Sequence, residues 1–263
     1  MLLVIDVGNT TTVFGVFHDK ELKGQWHLST RKDSTSDEIG ILMMQLMSAG
    51  DIQKEQVTGI IISSVVPSLN CTLRSMSREF FSLEPYFVQA GLEEYIPIAY
   101  EKPDEVGADR IVNAVAARYL YGTPAIIIDF GTAITFCVLS ADGRYLGGCI
   151  FPGIQISASA LFKAAEKLVP VKIEEAASII GKSTKEAIQS GFYWGFSVMV
   201  EGMVSKIAEQ LSGPPKVIAT GGFAYLFKHS CPNIHIFDDL LTLKGLHIIS
   251  QQVDLKAQFG DQE

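Results

Sequence analysis

Residues 2–17 read LLVIDVGNTTTVFGVF. Four apolar residues, Leu2 to Ile5, run straight into Asp6; Gly8, Asn9, Thr10, Thr11 and Thr12 form a small polar turn, and Val13 to Phe17 is again apolar-rich. Two short β-rich runs around a Gly/Asn turn predict a β-hairpin. The first run is apolar throughout, which predicts a strand buried on both faces. A carboxylate ending such a strand, beside a turn of small hydrogen-bonding residues, suits a phosphate and its metal ion. Backbone N–H groups in the turn can converge on an anion, and glycine lets the backbone come close. The acid can hold Mg²⁺ directly or through water. Taken alone, the stretch reads equally as an ordinary hairpin with a chance Asp.

The pattern returns in the second half. Residues 125–139 read AIIIDFGTAITFCVL: an apolar strand ending in Asp129, then Phe-Gly-Thr, then another β-rich run. Halves that each open with strand, Asp-X-Gly-[Asn/Thr], strand predict a duplicated domain. A third glycine turn, VIATGGF at 217–223, would fit the base or ribose of a nucleotide. This ordered set resembles the phosphate- and adenosine-binding elements of the actin-like ATPase superfamily. The resemblance implies an α/β chain of two duplicated actin-like (ribonuclease H-like) domains. Each would be a mixed sheet flanked by helices, with the nucleotide in the interdomain cleft.

Length and composition agree. A chain of 263 residues, 48% of them apolar, has room for two compact domains of about 120–140 residues each. No apolar run reaches the ~20 residues of a membrane span. The first residues are strand-like with no basic stretch, so no secretory signal is expected. A net charge of −8 and a pI near 5.2 disfavour nucleic acid and anionic membranes as partners. Cys71, Cys137, Cys149 and Cys231 lack CxxC spacing and read as small hydrophobes in a reducing, cytoplasmic compartment. The histidines form no HxxxH or HExxH pair.

Along the chain, Leu22–Ser29 completes a three-stranded meander. Thr35 with Glu38 is a capping box opening a helix over 37–48, with Ile41, Leu42, Met44, Gln45 and Met47 near helical period. The methionine stripe reads as core filler. Strand 57–66, helix 69–81 and strand 86–88 complete a β-β-β-α-β-α-β half, and a charged, Pro-containing linker at 102–105 sets the boundary. The expected domains are 1–104 and 105–252, with a polar, frayed tail at 253–263. In the second half a long helix over about 185–211 carries possible kinks at Gly191, Gly195 or Gly202. Short helical residues 225–229, strand 234–237 and helix 240–252 close the chain.

Gly107-Ala108-Asp109-Arg110 opens a helix over 110–120. Asp109 at a helix N-terminus reads either as a plain N-cap or as a base for an attacking hydroxyl, its pKa held down by the dipole. Arg110 reads as a surface residue or as a clamp for a carboxylate.

The combined order is DVGNT at 6–10, SSVVP at 63–67, GADR at 107–110, DFGTA at 129–133, GGCIFPG at 147–153, GKST at 181–184 and TGG at 220–222. It resembles the type III pantothenate kinases over nearly the whole chain, to about residue 250. That family phosphorylates pantothenate on its hydroxymethyl oxygen with ATP, the first step toward coenzyme A. The resemblance implies a homodimer with substrate sites at its interface, dependent on Mg²⁺ and on K⁺ or NH₄⁺. Position by position, Asp6, Val7, Gly8, Asn9, Thr10, Thr11, Thr12 and Val13 would hold the ATP phosphates, with Asp6 positioning Mg²⁺. Gly107, Ala108, Asp109 and Arg110 would line the pantothenate site, Asp109 as base. Asp129 would bind the monovalent cation and Thr132 the phosphates. Gly221 and Gly222 would lie near the adenosine, and Thr184 would reach pantothenate from the partner subunit. Tyr100 reads as a lid over the substrate or as a packing aromatic. One departure stands out: where the family usually carries a further Asp after the second turn, this chain has Cys137, a poor partner for a hard cation. Members of the same branch act as accessory factors for transcription, so a non-catalytic ATP-binding regulator is the alternative.

Overall fold

A computed structural model describes residues 1–89 and 95–253. The chain divides into two compact units, one of residues 1–96, 101–116 and 242 onward, the other of residues 97–100 and 117–241.

In the first unit, β1 (Leu2–Val7), β2 (Thr11–His18) and β3 (Glu21–Ser29) form the expected meander. Two more strands, β4 (Gly59–Ser64) and β5 (Tyr86–Phe87), add to it parallel, in the order β3-β2-β1-β4-β5. Period-2 alternation sends Leu3, Ile5, Val7, Phe14, Val16, Ile60 and Ile62 to one face. There they meet α1 (Ser36–Ala49) and α2 (Asn70–Phe81) in one apolar core. The capping box forms as read: Thr35 Oγ1 accepts from Glu38 N, and Glu38 Oε2 accepts from Thr35 N. The buried phase of α1 differs from the sequence expectation. Gly40, Met43 and Met47 are buried, whereas Ile41 and Leu42 are nearly half exposed. Gly40 decides the phase, because a Cβ there would lie 2.4 Å from the Phe80 ring of α2. The helix turns its bare glycine to its neighbour, and the methionines follow it into the core.

Helix α3 (Ala108–Tyr121) and helix α6 (Leu241–Ser250) reshape the expected division at 104/105. Most of both belongs to the first unit. Thr242 Oγ1 donates to Asn113 Oδ1 at 2.8 Å, and a Cβ on Gly245 would lie 2.3 Å from the Val112 carbonyl. His247 stacks on Phe17, and its Nε2 lies 2.6 Å from the Asp19 carbonyl oxygen. Charge and proline mark a linker in sequence; they carry no information on which sheet a later helix covers.

The second unit repeats the topology. β6 (Ala125–Phe130), β7 (Ala133–Leu139) and β8 (Tyr145–Pro152) form a meander, and β9 (Lys216–Thr220) and β10 (Ile236–Phe237) add parallel, in the order β10-β9-β6-β7-β8. Ile126, Ile128, Phe130, Ile134 and Phe136 face Tyr193, Phe196, Val200 and Val204 of α5 (Thr184–Ala208). Helix α5 is one continuous helix of 25 residues, unbroken at its three glycines. The predicted helix at 225–229 is a 3₁₀ turn over Ala224–Phe227, and α4 spans Ile154–Ala164 after the PG turn. The tail expected to fray lies, from residue 254 on, outside the described residues.

Candidate functional site

In the first unit the turn after β1 is tied down without covering it. Gly8 N donates to the Thr11 carbonyl at 3.1 Å, and Thr30 N to the Thr10 carbonyl at 2.9 Å. The Thr12 and Thr30 hydroxyls pair at 2.9 Å. Asn9, Thr10 and Thr11 stay exposed. Asp6 sits half-buried at the strand end, abreast of Val13 on β2 and Ser63 on β4, on the face opposite the α1/α2 core, which it shares with the buried Val4 and Ile61. Val7 and Val13 flank the turn as strand residues.

Gly107 caps α3: its carbonyl accepts from Arg110 N at 3.1 Å and Ile111 N at 3.2 Å. A Cβ at 107 would lie 2.6 Å from Asp109 Oδ1, so the bare glycine gives room for the carboxylate to fold back over the helix start. The expected depression of the Asp109 pKa is overturned. Burial pushes its carboxyl up, and outweighs the Arg110 backbone N–H and the Arg110 charge, which pull it down. Arg110 itself is buried rather than a surface residue. Gly107 and Ala108 line a cavity of about 410 Å³ with Ser64, Val65, Asn70, Phe87, Val88 and Gln89. Two polar groups of this unit were not singled out by sequence: Asn70 Oδ1, at the cavity, and Ser63 Oγ, beside Asp6, are buried with no hydrogen-bond partner among the described residues. The SSVVP motif was the available signal for Ser63, although type alone gave it no role.

In the second unit the DFGT and TGG turns meet. Asp129 lies half-buried between Thr135 and Thr220. Gly221 has φ +90°, and a Cβ on it would lie 2.5 Å from Asp129 Oδ1; only glycine takes that backbone and that contact. Space around Gly222 is open. Gly153 N donates to the Thr132 carbonyl at 3.1 Å, so the PG turn closes on the same place. Tyr100 lies over the bare backbone of Gly147, its ring 6.4 Å from that of Tyr145. Thr184 opens α5 and lines a second, apolar cavity of about 480 Å³ with Phe151, Leu161, Phe192 and Phe196.

In each unit taken by itself the donors are hard oxygens: the Asp6 carboxylate in the first and the Asp129 carboxylate in the second, with hydroxyls and backbone carbonyls around each. Among the described residues no group of three or more His, Cys, Asp or Glu could hold a metal. Such a set fits Mg²⁺ shared with phosphates, or a monovalent cation, and not zinc. Cys137 stands off from the turn. It is buried within β7, between Ile127 and Gly148, and takes the Tyr145 hydroxyl at 3.6 Å.

The model of the family described as type III pantothenate kinase matches residues 2–206. The chain belongs to the type III pantothenate kinase family. As a type III pantothenate kinase family member it is an ATP-dependent kinase. Solved structures agree on the fold. A protein from Campylobacter jejuni assigned to the Baf family of transcriptional activators is 18% identical over 95% of this chain and 98% of its own, with TM-score 0.62. The activator of 2-hydroxyisocaproyl-CoA dehydratase from Clostridium difficile, solved with ADPNP, is 14% identical over 100% of this chain and 98% of its own, with TM-score 0.59. The ethanolamine utilization protein EutJ from Carboxydothermus hydrogenoformans is 15% identical over 93% of this chain and 88% of its own, with TM-score 0.55. The two duplicated sheets are therefore those of the actin-like fold. Among the described residues no helix is long and apolar enough to cross a membrane.

Proposed function

We propose that this kinase phosphorylates pantothenate on its hydroxymethyl oxygen, yielding 4'-phosphopantothenate for coenzyme A synthesis. The observation that carries the reading is the Asp109 carboxylate, folded over Gly107 at the head of α3 beside a 410 Å³ cavity. Asp109 orients the substrate hydroxyl and takes its proton late. Phosphoryl transfer passes through a loose transition state, so orientation counts for more than basicity. Burial nonetheless makes this carboxylate a better proton acceptor than an exposed one. The Arg110 guanidinium takes the pantothenate carboxylate, for which its planar fork is suited. Residues 6–13 and Thr132 hold the phosphates, Gly221 and Gly222 the adenosine end, and Tyr100 covers the substrate. Asp6 would hold Mg²⁺ and Asp129 the K⁺ or NH₄⁺ ion. Bound there, Mg²⁺ supplies charge neutralisation between the phosphates.

The working state is a homodimer in which Thr184 reaches the partner's substrate. On α5, a Cβ on Gly191, Gly195 or Gly202 would meet nothing within 4 Å among the described residues, and Val198 between them is 69% exposed. Ile150, Ile156, Ile179 and Ile180 add further exposed apolar surface in the same unit. An unfilled glycine stripe with an exposed valine in it, in a unit with further exposed aliphatics, supports a close-packed copy on this face.

A coupled ADP-release assay tests the reading. ADP release is expected only with pantothenate present, and to fall when K⁺ is replaced by Na⁺. Pantothenate-independent or absent turnover overturns it. The likeness to the Baf-family protein supports one other reading, an ATP-binding regulator without kinase turnover. The same assay separates the two.

A further inference from the structure

Ser63 is fully buried on β4, and its Oγ has no hydrogen-bond partner among the described residues. Buried hydroxyls in folded proteins are almost always paired, so an orphan asks for an explanation. Its neighbour shows that the motif does not require one: Ser64 Oγ accepts from Val66 N at 3.2 Å. The parallel register of β1 and β4 sets Ser63 abreast of Asp6. Strands lie about 4.8 Å apart, and residues abreast share a face. Leu3, Ile5, Val7, Ile60 and Ile62 occupy the opposite face and fill the core. The orphan hydroxyl therefore stands next to the candidate Mg²⁺ carboxylate, at the end of the face that the buried Val4 and Ile61 also share. The second unit repeats the arrangement, with Asp129 abreast of the buried Thr220.

We infer that Ser63 is a positioning residue for the cation at Asp6. Its hydroxyl accepts a hydrogen bond from a water in the shell of that cation. Mg²⁺ keeps several of its waters when it binds through one carboxylate and substrate phosphates. Each such water presents donors, and the serine oxygen offers two lone pairs in a place where bulk water does not compete. The inference rests on the reading of Asp6 as the Mg²⁺ residue.

Thermal unfolding of the full chain tests it, with no ligand, with ADP, and with ADP plus Mg²⁺. Ser63→Ala is expected to leave the ligand-free midpoint equal or higher, since it removes an unpaired polar group. The increment with ADP alone should stay, and the further increment with Mg²⁺ should be lost. The apparent Mg²⁺ affinity should fall about 10–100-fold, as for other residues that orient a metal's ligands. Ser63→Thr, which copies the residue at 220, should restore it. A Mg²⁺ increment equal in Ser63→Ala and wild type overturns the inference alone, whatever the ligand-free midpoint does. A wild-type chain with no increment from ADP and Mg²⁺ overturns the ATP reading and this inference together.

Discussion

Asp109 combines two demands that pull against each other. A proton acceptor gains from burial, because burial raises its pKa. The same burial makes the charged form a cost to folding. Its pKa is raised above the ordinary 3.8, so its contribution to stability is complete when protonated and is lost as pH rises through the folded value. At neutral pH the carboxylate therefore destabilises the chain. Asp109→Asn is expected to raise the unfolding midpoint at pH 7 and to cut turnover by about 10²–10⁴-fold, with nucleotide binding kept. The stability gain should shrink as pH falls toward 4. Denaturation followed from pH 7 down to pH 4 checks the first point, and ADP release the second. A variant less stable at pH 7, or one with near-normal turnover, removes Asp109 from the role given to it. The residue type and its helix-start position were legible in GADR. The sign of its shift was not, because the dipole is visible in sequence and the depth of burial is not.

Helix α5 shows how an element can be specified by what it lacks. Each interior glycine costs a helix roughly 0.5–1 kcal/mol relative to alanine. Three glycines at 191, 195 and 202 read from sequence as possible kinks, yet the helix runs unbroken from Thr184 to Ala208. Its other face explains the continuity: Tyr193, Phe196, Val200 and Val204 are held against the sheet of the second unit. Gly195→Arg is expected to leave the chain folded by circular dichroism, while light scattering reports a monomer and pantothenate-dependent turnover is lost. A dimeric, active Gly195→Arg protein would show that this stripe is not the interface. In α1 the capping box was legible because it is local, Thr35 to Glu38. The buried phase was not, because it depends on Phe80 of another helix meeting Gly40.

At the scale of the whole molecule, the first unit is assembled from three separated segments. Residues 1–104, the domain expected from the linker, lack α6 and all of α3. They would leave the β2 positions under Leu243 and His247 open to water: a Cβ on Gly15 would lie 3.1 Å from Leu243 Cδ1, and Phe17 stacks on His247. Expressed alone, residues 1–104 are expected to show no cooperative thermal transition by circular dichroism, whereas the full chain does. A sharp transition in the fragment would mean that the outer segments are dispensable.

By itself the sequence determined the strands, the two acid-tipped turns and their duplication, since these follow from local alternation, glycine and asparagine turns, and a motif occurring twice. Its ordered motifs carried the resemblance to the family, and its length fits. Only the tertiary structure decided that α6 returns to the first sheet, that Gly221 closes on Asp129, and that the Ser63 hydroxyl is buried with no hydrogen-bond partner among the described residues. The first two are meetings of residues far apart in the chain, and the third is the burial of a side chain by distant elements. Such meetings are set by which face of which element is covered, and no local pattern encodes that.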